Sequence, residues 1–173
     1  MNKIHDLSAK LFFSFVILCL LNGCTLNYSL NGISIPPEAK TVSVDYFPNN
    51  AQLVQPTLSQ SLTEALKDRF VSETNLGVIN ESGDLHFEGA ITNYVINPVA
   101  IQGNEIAALN RLTVTIHVKF TNAIDKKYNY ETSFSAYEDY DSSQDLSSIE
   151  EELIGLINVQ LVEDIFNKAV INW

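Results

Sequence analysis

Two cysteines and three histidines are the side chains of this 173-residue chain best suited to nucleophilic, acid–base or metal chemistry. Cys24 closes the tetrapeptide Leu21-Asn22-Gly23-Cys24, directly after the charge-free run LFFSFVILCLL from Leu11 to Leu21, with Lys3 and Lys10 ahead of it. A basic start, an apolar run too short to span a hydrocarbon core of about 30 Å, and a branched residue shortly before a cysteine form a lipoprotein signal peptide. Cutting before Cys24 frees its amine and commits its thiol to a diacylglyceryl thioether. An ordinary signal peptide with a chance cysteine explains the same residues less well, because the cysteine sits at the cleavage position. Cys19 is discarded with the leader, so no intrachain disulfide is expected and an apolar core must stabilise the fold.

In the expected mature chain the imidazoles are His86 and His117, both at outward-facing strand positions. A hydrolytic triad needs nucleophile, base and orienting acid together, and the sequence has no GxSxG elbow, Walker loop or GxGxxG turn. No enzyme activity and no cofactor are expected. His86 and Glu88 share a strand face, with His117 a conceivable third ligand if the strands pair suitably. Zinc requires a well-placed third ligand and groups behind it to orient the imidazole; without these, two surface histidines read as solvated residues and no metal is expected. The acidic run Glu138, Asp139, Asp141, Asp145, Glu150, Glu151 and Glu152 lacks the order and the glycine of a calcium loop, and carboxylates at a helix start are favourable without an ion.

These residues must be positioned by one domain. Residues 1–23 form the signal peptide, residues 24–40 with Gly32 and Pro36-Pro37 read as a lipidated tether, and residues 41–173 form a single domain. Val42, Val44 and Tyr46 alternate with polar residues, the mark of a half-buried strand. From Pro56 to Glu73, Leu58, Leu62, Ala65, Leu66 and Phe70 recur at helical spacing, with Thr57 and Ser59 as candidate caps and Asn75-Leu76-Gly77 as a stop. Strands are predicted over 85–95, 111–121 and 128–140, the last two joined as a hairpin through Asp125-Lys126-Lys127. The middle strand sets Leu112, Val114, Ile116, Val118 and Phe120 against Arg111, Thr113, Thr115, His117, Lys119 and Thr121, which requires one buried and one solvated face. A second helix follows Leu146 and runs to about Val170, with Ser147 and Glu150 at capping-box spacing. The fold class expected is α+β: a two-layer sandwich of a four-stranded sheet with both helices on one face, in the order β-α-β-β-β-α.

Removing the leader takes Lys3, Lys10 and Asp6 from a chain of formal charge −11 and leaves about −12, which argues against a nucleic-acid partner. Tyr128, Tyr130, Phe134, Tyr137 and Tyr140 crowd the last strand and divide between its faces; an outward tyrosine suits a protein interface. The segment NPVAIQGNEIAALN from Asn97 to Asn110 is long for a connection, a length common among functional loops.

The lipobox with Cys24, Tyr28-Ser29-Leu30-Asn31-Gly32, Pro36-Pro37, KTVSVDYFPN (40–49), TLSQSLTEALKDRF (57–70), PVAIQGNE (98–105), RLTV (111–114) and LVEDIFNKAVINW (161–173) resemble the LPS-assembly lipoprotein family, LptE. The likeness covers nearly the whole mature chain. It implies two helices on a four-stranded sheet, an outer-membrane lipoprotein with its domain facing the periplasm or inside a barrel lumen, and a role as plug and assembly factor for the LptD-like barrel that inserts lipopolysaccharide in the outer leaflet. It also implies a candidate lipopolysaccharide contact, for which Arg111, Lys119, Lys126 and Lys127 are the available cations, although they serve equally well as solvating charges. A periplasmic lipid or small-ligand carrier is the competing reading and would require an apolar cavity between helices and sheet; a general envelope scaffold is the third.

Overall fold

A computed structural model describes residues 35–99 and 109–170. The leader, Cys24 and most of the 97–110 connection lie outside the described residues. The elements are β1 (Thr41–Val44), α1 (Leu58–Glu73), β2 (Gly77–Val78), β3 (Leu85–Pro98), β4 (Leu109–Asn122), a 3-10 turn (Lys126–Tyr128), β5 (Tyr130–Asp141) and α2 (Leu146–Val170).

The sheet is five-stranded in the order β2-β1-β3-β4-β5, not four-stranded. The added strand is Gly77–Val78, which pairs parallel to Thr41 and Val42. Two residues are too few to show any alternation, and the first of them, Gly77, read in the sequence only as the end of the Asn75-Leu76-Gly77 helix stop. Strand β1 also runs parallel to β3, while β3–β4 and β4–β5 are antiparallel. Parallel neighbours need a crossover connection, and α1 supplies it between β1 and β2.

Both helices cover one face of the sheet, as the hydrophobic spacing requires. Phe70 of α1 lies 5.1 Å, centroid to centroid, from Phe87 of β3 and 5.1 Å from Phe166 of α2. The stack continues through Phe87–Phe120 at 4.7 Å and Phe120–Tyr130 at 5.1 Å. Phe47, Phe70, Phe87, Phe120 and Phe166 are all fully buried, each contributing about 1.5–3 kcal/mol by removal from water.

Local features depart from the sequence expectations in instructive ways. Strand β3 carries a bulge: Ile91 pairs Ile116 and Asn93 pairs Thr115, so Thr92 is the extra residue. The phase therefore flips, with Leu85, Phe87 and Ile91 facing the helices before the bulge and Tyr94 after it. Thr57 makes no side-chain cap on α1; Gln55 Oε1 accepts from the backbone N–H groups of Thr57 (2.7 Å) and Leu58 (2.9 Å) instead, and Ser59 is buried within the helix. The Ser147–Glu150 capping box does not form either. Asp145 Oδ1 accepts from Ser147 N at 3.1 Å, one residue before α2 begins, and Glu150 accepts a 2.5 Å hydrogen bond from the Tyr94 hydroxyl.

Candidate functional site

The face of the sheet away from the helices is a polar surface built from alternate residues of β3, β4 and β5. Because β4 pairs without interruption to β5, side chains on this face meet in cross-strand rows. Arg111 makes a bidentate ion pair with Asp139, Nε to Oδ1 at 2.7 Å and Nη2 to Oδ2 at 2.9 Å, with its guanidinium 3.7 Å above the centre of the Tyr137 ring. The hydrogen bonds from Arg111 hold the Asp139 carboxyl below the usual carboxylate range. Two rows along from Arg111–Asp139, Thr115 and Ser135 share a 3.1 Å hydrogen bond; beyond it His117 Nε2 lies 2.9 Å from Glu131 Oε1. Lys119 is ion-paired with Glu88 on the neighbouring strand, and that hydrogen bond holds the Glu88 carboxyl low and the Lys119 ammonium high.

The structure distributes the four candidate cations over two places. Arg111 and Lys119 lie on this face, eight residues apart along β4, or roughly 26 Å. Lys126 and Lys127 lie in the 3-10 turn beyond the end of β4 nearest Lys119; Lys127 Nζ is 2.9 Å from Asp125 Oδ2 and 4.5 Å from the centre of the Tyr128 ring. Beside this turn, Ile124, Asp125 and Tyr128 share a shallow groove with Ile35, Pro36, Pro37 and Glu38, which precede β1.

His86 and His117 do not meet. His117 pairs in register with Ala90, while His86 pairs with Thr121 and, on its other side, with Ser43 of β1. Asp45 takes the place expected of His117: its carboxylate, His86 and Glu88 present ligand atoms all within 4.8 Å of one another. Asp45 follows β1 and was not a sequence candidate. The available signal was its spacing, two residues after a strand position that faces the same way. The acidic run is dispersed among local tasks, with Glu138 accepting from Gln160, Asp139 paired to Arg111, Asp141 bonded to Ser143 and Asp145 capping α2. Of the crowded aromatics, Tyr140 is buried on the helix side and Tyr137 is exposed on the polar face.

The interior between helices and sheet is occupied by the phenylalanine stack. A solvent-open groove of about 310 Å³ lies between the helices instead, lined by Ala65, Asp68, Arg69, Ser72, Val159, Val162 and Glu163. Among the described residues no helix is long and apolar enough to cross a membrane.

The family model described as LptE, lipopolysaccharide-assembly, matches residues 39–169. No curated protein matches the chain. Solved structures share the fold: a minor lipoprotein from Acinetobacter baumannii at 15% identity and TM-score 0.51, covering 75% of this chain and 91% of that one, and a hypothetical protein from Chlamydia trachomatis at 10% identity and TM-score 0.53, covering 76% and 98%.

Proposed function

Because this chain belongs to the LptE lipopolysaccharide-assembly family, we propose that it is an outer-membrane lipoprotein, anchored through Cys24, that seats in the lumen of an LptD-like barrel and assists its assembly. In this reading the protein is a structural factor and not a catalyst.

The observation that carries the reading is the cross-strand polar network on the open sheet face. A plug must present a rigid, hydrated surface to a polar lumen, and rows of side chains already tied to one another, from Arg111–Asp139 to Lys119–Glu88, lose little further entropy on docking. The filled core supports the same choice over a carrier, since the space a lipid would need holds Phe70, Phe87, Phe120 and Phe166. Lipopolysaccharide contact through Arg111, Lys119, Lys126 and Lys127 is the finer part of the proposal. Support comes from the turn bearing Lys126 and Lys127 lying beside Ile35–Glu38, where the tether reaches the domain. Anionic groups would have to compete there with Asp125, as they would with Glu88 and Asp139 on the open face.

The test is a mild-detergent pull-down of the full-length lipoprotein from its native envelope. Stoichiometric recovery of a large outer-membrane barrel is expected. Intact, monomeric lipoprotein recovered alone would overturn the proposal and return the carrier reading to the front.

A further inference from the structure

We infer that Asp45, His86 and Glu88 form a binding site for a borderline divalent cation, with Zn²⁺ the best match. The argument begins with the backbone. His86 and Glu88 stand two apart on β3 and so project from the same face, while Ser43 of β1 is in register with His86. The ladder continues past β1 through Asp45 N donating to Phe87 O at 2.9 Å, which places the Asp45 side chain beside the other two. Two hydrogen-bonded strands thus fix the three Cα positions before any ion arrives.

The ligand spacing fits a tetrahedral ion. Two atoms each about 2.1 Å from one such centre lie about 3.4 Å apart, and His86 Nε2 and Asp45 Oδ2 are separated by 3.6 Å. The Glu88 carboxylate, within 4.8 Å of the others, closes the remainder by side-chain rotation. Behind the imidazole stands the orienting group that ligating histidines require. Ser43 is 1% exposed, and its Oγ lies 2.7 Å from His86 Nδ1. That oxygen accepts from Gly83 N at 2.9 Å, and its second lone pair can accept from Nδ1–H, leaving the Nε2 lone pair directed at the ion. An imidazole with two carboxylates suits zinc and neighbouring first-row metals, whereas calcium wants six or more oxygens. Three protein ligands leave an open position toward solvent on the sheet face.

Lys119 opposes the ion, since it is paired with Glu88. It has an alternative partner: Glu131 is directly opposite in register, so Lys119 can move to it when Glu88 turns to the metal. Lys119 should therefore set the affinity without being a ligand.

The experiment is Zn²⁺ titration of the full-length lipoprotein in detergent, in competition with a chromophoric chelator, alongside thermal unfolding with and without Zn²⁺. We expect one high-affinity ion per chain, at least about a tenfold affinity loss in His86→Ala and in Asp45→Asn, a smaller loss in Ser43→Ala, and a several-fold gain in Lys119→Met. Zinc should raise the melting temperature of the natural protein and of His117→Ala but not of His86→Ala. Unchanged affinity in a folded His86→Ala, a loss that follows His117→Ala instead, or no one-to-one binding would overturn the site and leave His86–Asp45 as a simple polar pair.

Discussion

At the scale of single residues, the open face is governed by which partner each charge finds across the strands. Asp84 shows how much one carboxylate can organise. Its Oδ2 accepts from Lys40 N (2.8 Å), Thr41 N (3.0 Å) and Thr41 Oγ1 (2.9 Å), fastening the start of β1 to the start of β3. The Lys40 N–H bond, then those from Thr41, hold its pKa below the ordinary carboxylate value. A lowered folded pKa contributes stability that is present above the unfolded carboxylate pKa of about 3.9 and is lost as pH falls through the folded value. Asp84→Ala should therefore cost about 1 kcal/mol at pH 7, discounted for partial solvation, and should flatten the decline in stability below pH 4; urea unfolding at pH 7 and pH 3 checks both. At this scale the sequence was only half legible. Alternation placed Arg111, His117 and Lys119 on the outer face. It could not name Asp139, Glu131 or Glu88 as their partners, because partners depend on register, and for the same reason it left open a place for His117 beside His86, where the register sets His117 against Ala90.

At the scale of elements, hydrophobic period was the reliable signal. Both helices, β1 and the three long strands lie where their apolar spacing puts them, with ends shifted by a few residues. What escaped has no periodicity to read: the two-residue β2, the bulge at Thr92, and helix starts capped by Gln55 and Asp145 in place of Thr57, Ser59 and Ser147. Gly89 is an element-level constraint of the same hidden kind. A Cβ there would run into the carbonyl oxygen of His117 on β4 and approach the buried Phe47 ring at 2.8 Å. Gly89→Val should force β3 and β4 apart and destabilise the protein by about 2–3 kcal/mol, read as a lowered urea midpoint in equilibrium unfolding.

At the scale of the whole molecule, the two layers divide the labour. Helices and phenylalanine stack fill one side of the sheet, so its other side is available as a rigid polar surface. Family membership rests on 39–169, which spans every element from β1 to nearly the end of α2. The central claim is that the open face meets the barrel wall. Photo-crosslinking in the native envelope tests it most directly, with the reactive group placed at Thr113 or Thr115 in otherwise unchanged full-length protein. The account predicts a covalent adduct with a large outer-membrane barrel protein from both positions. Robust expression and lipidation with no barrel adduct from either position would contradict it.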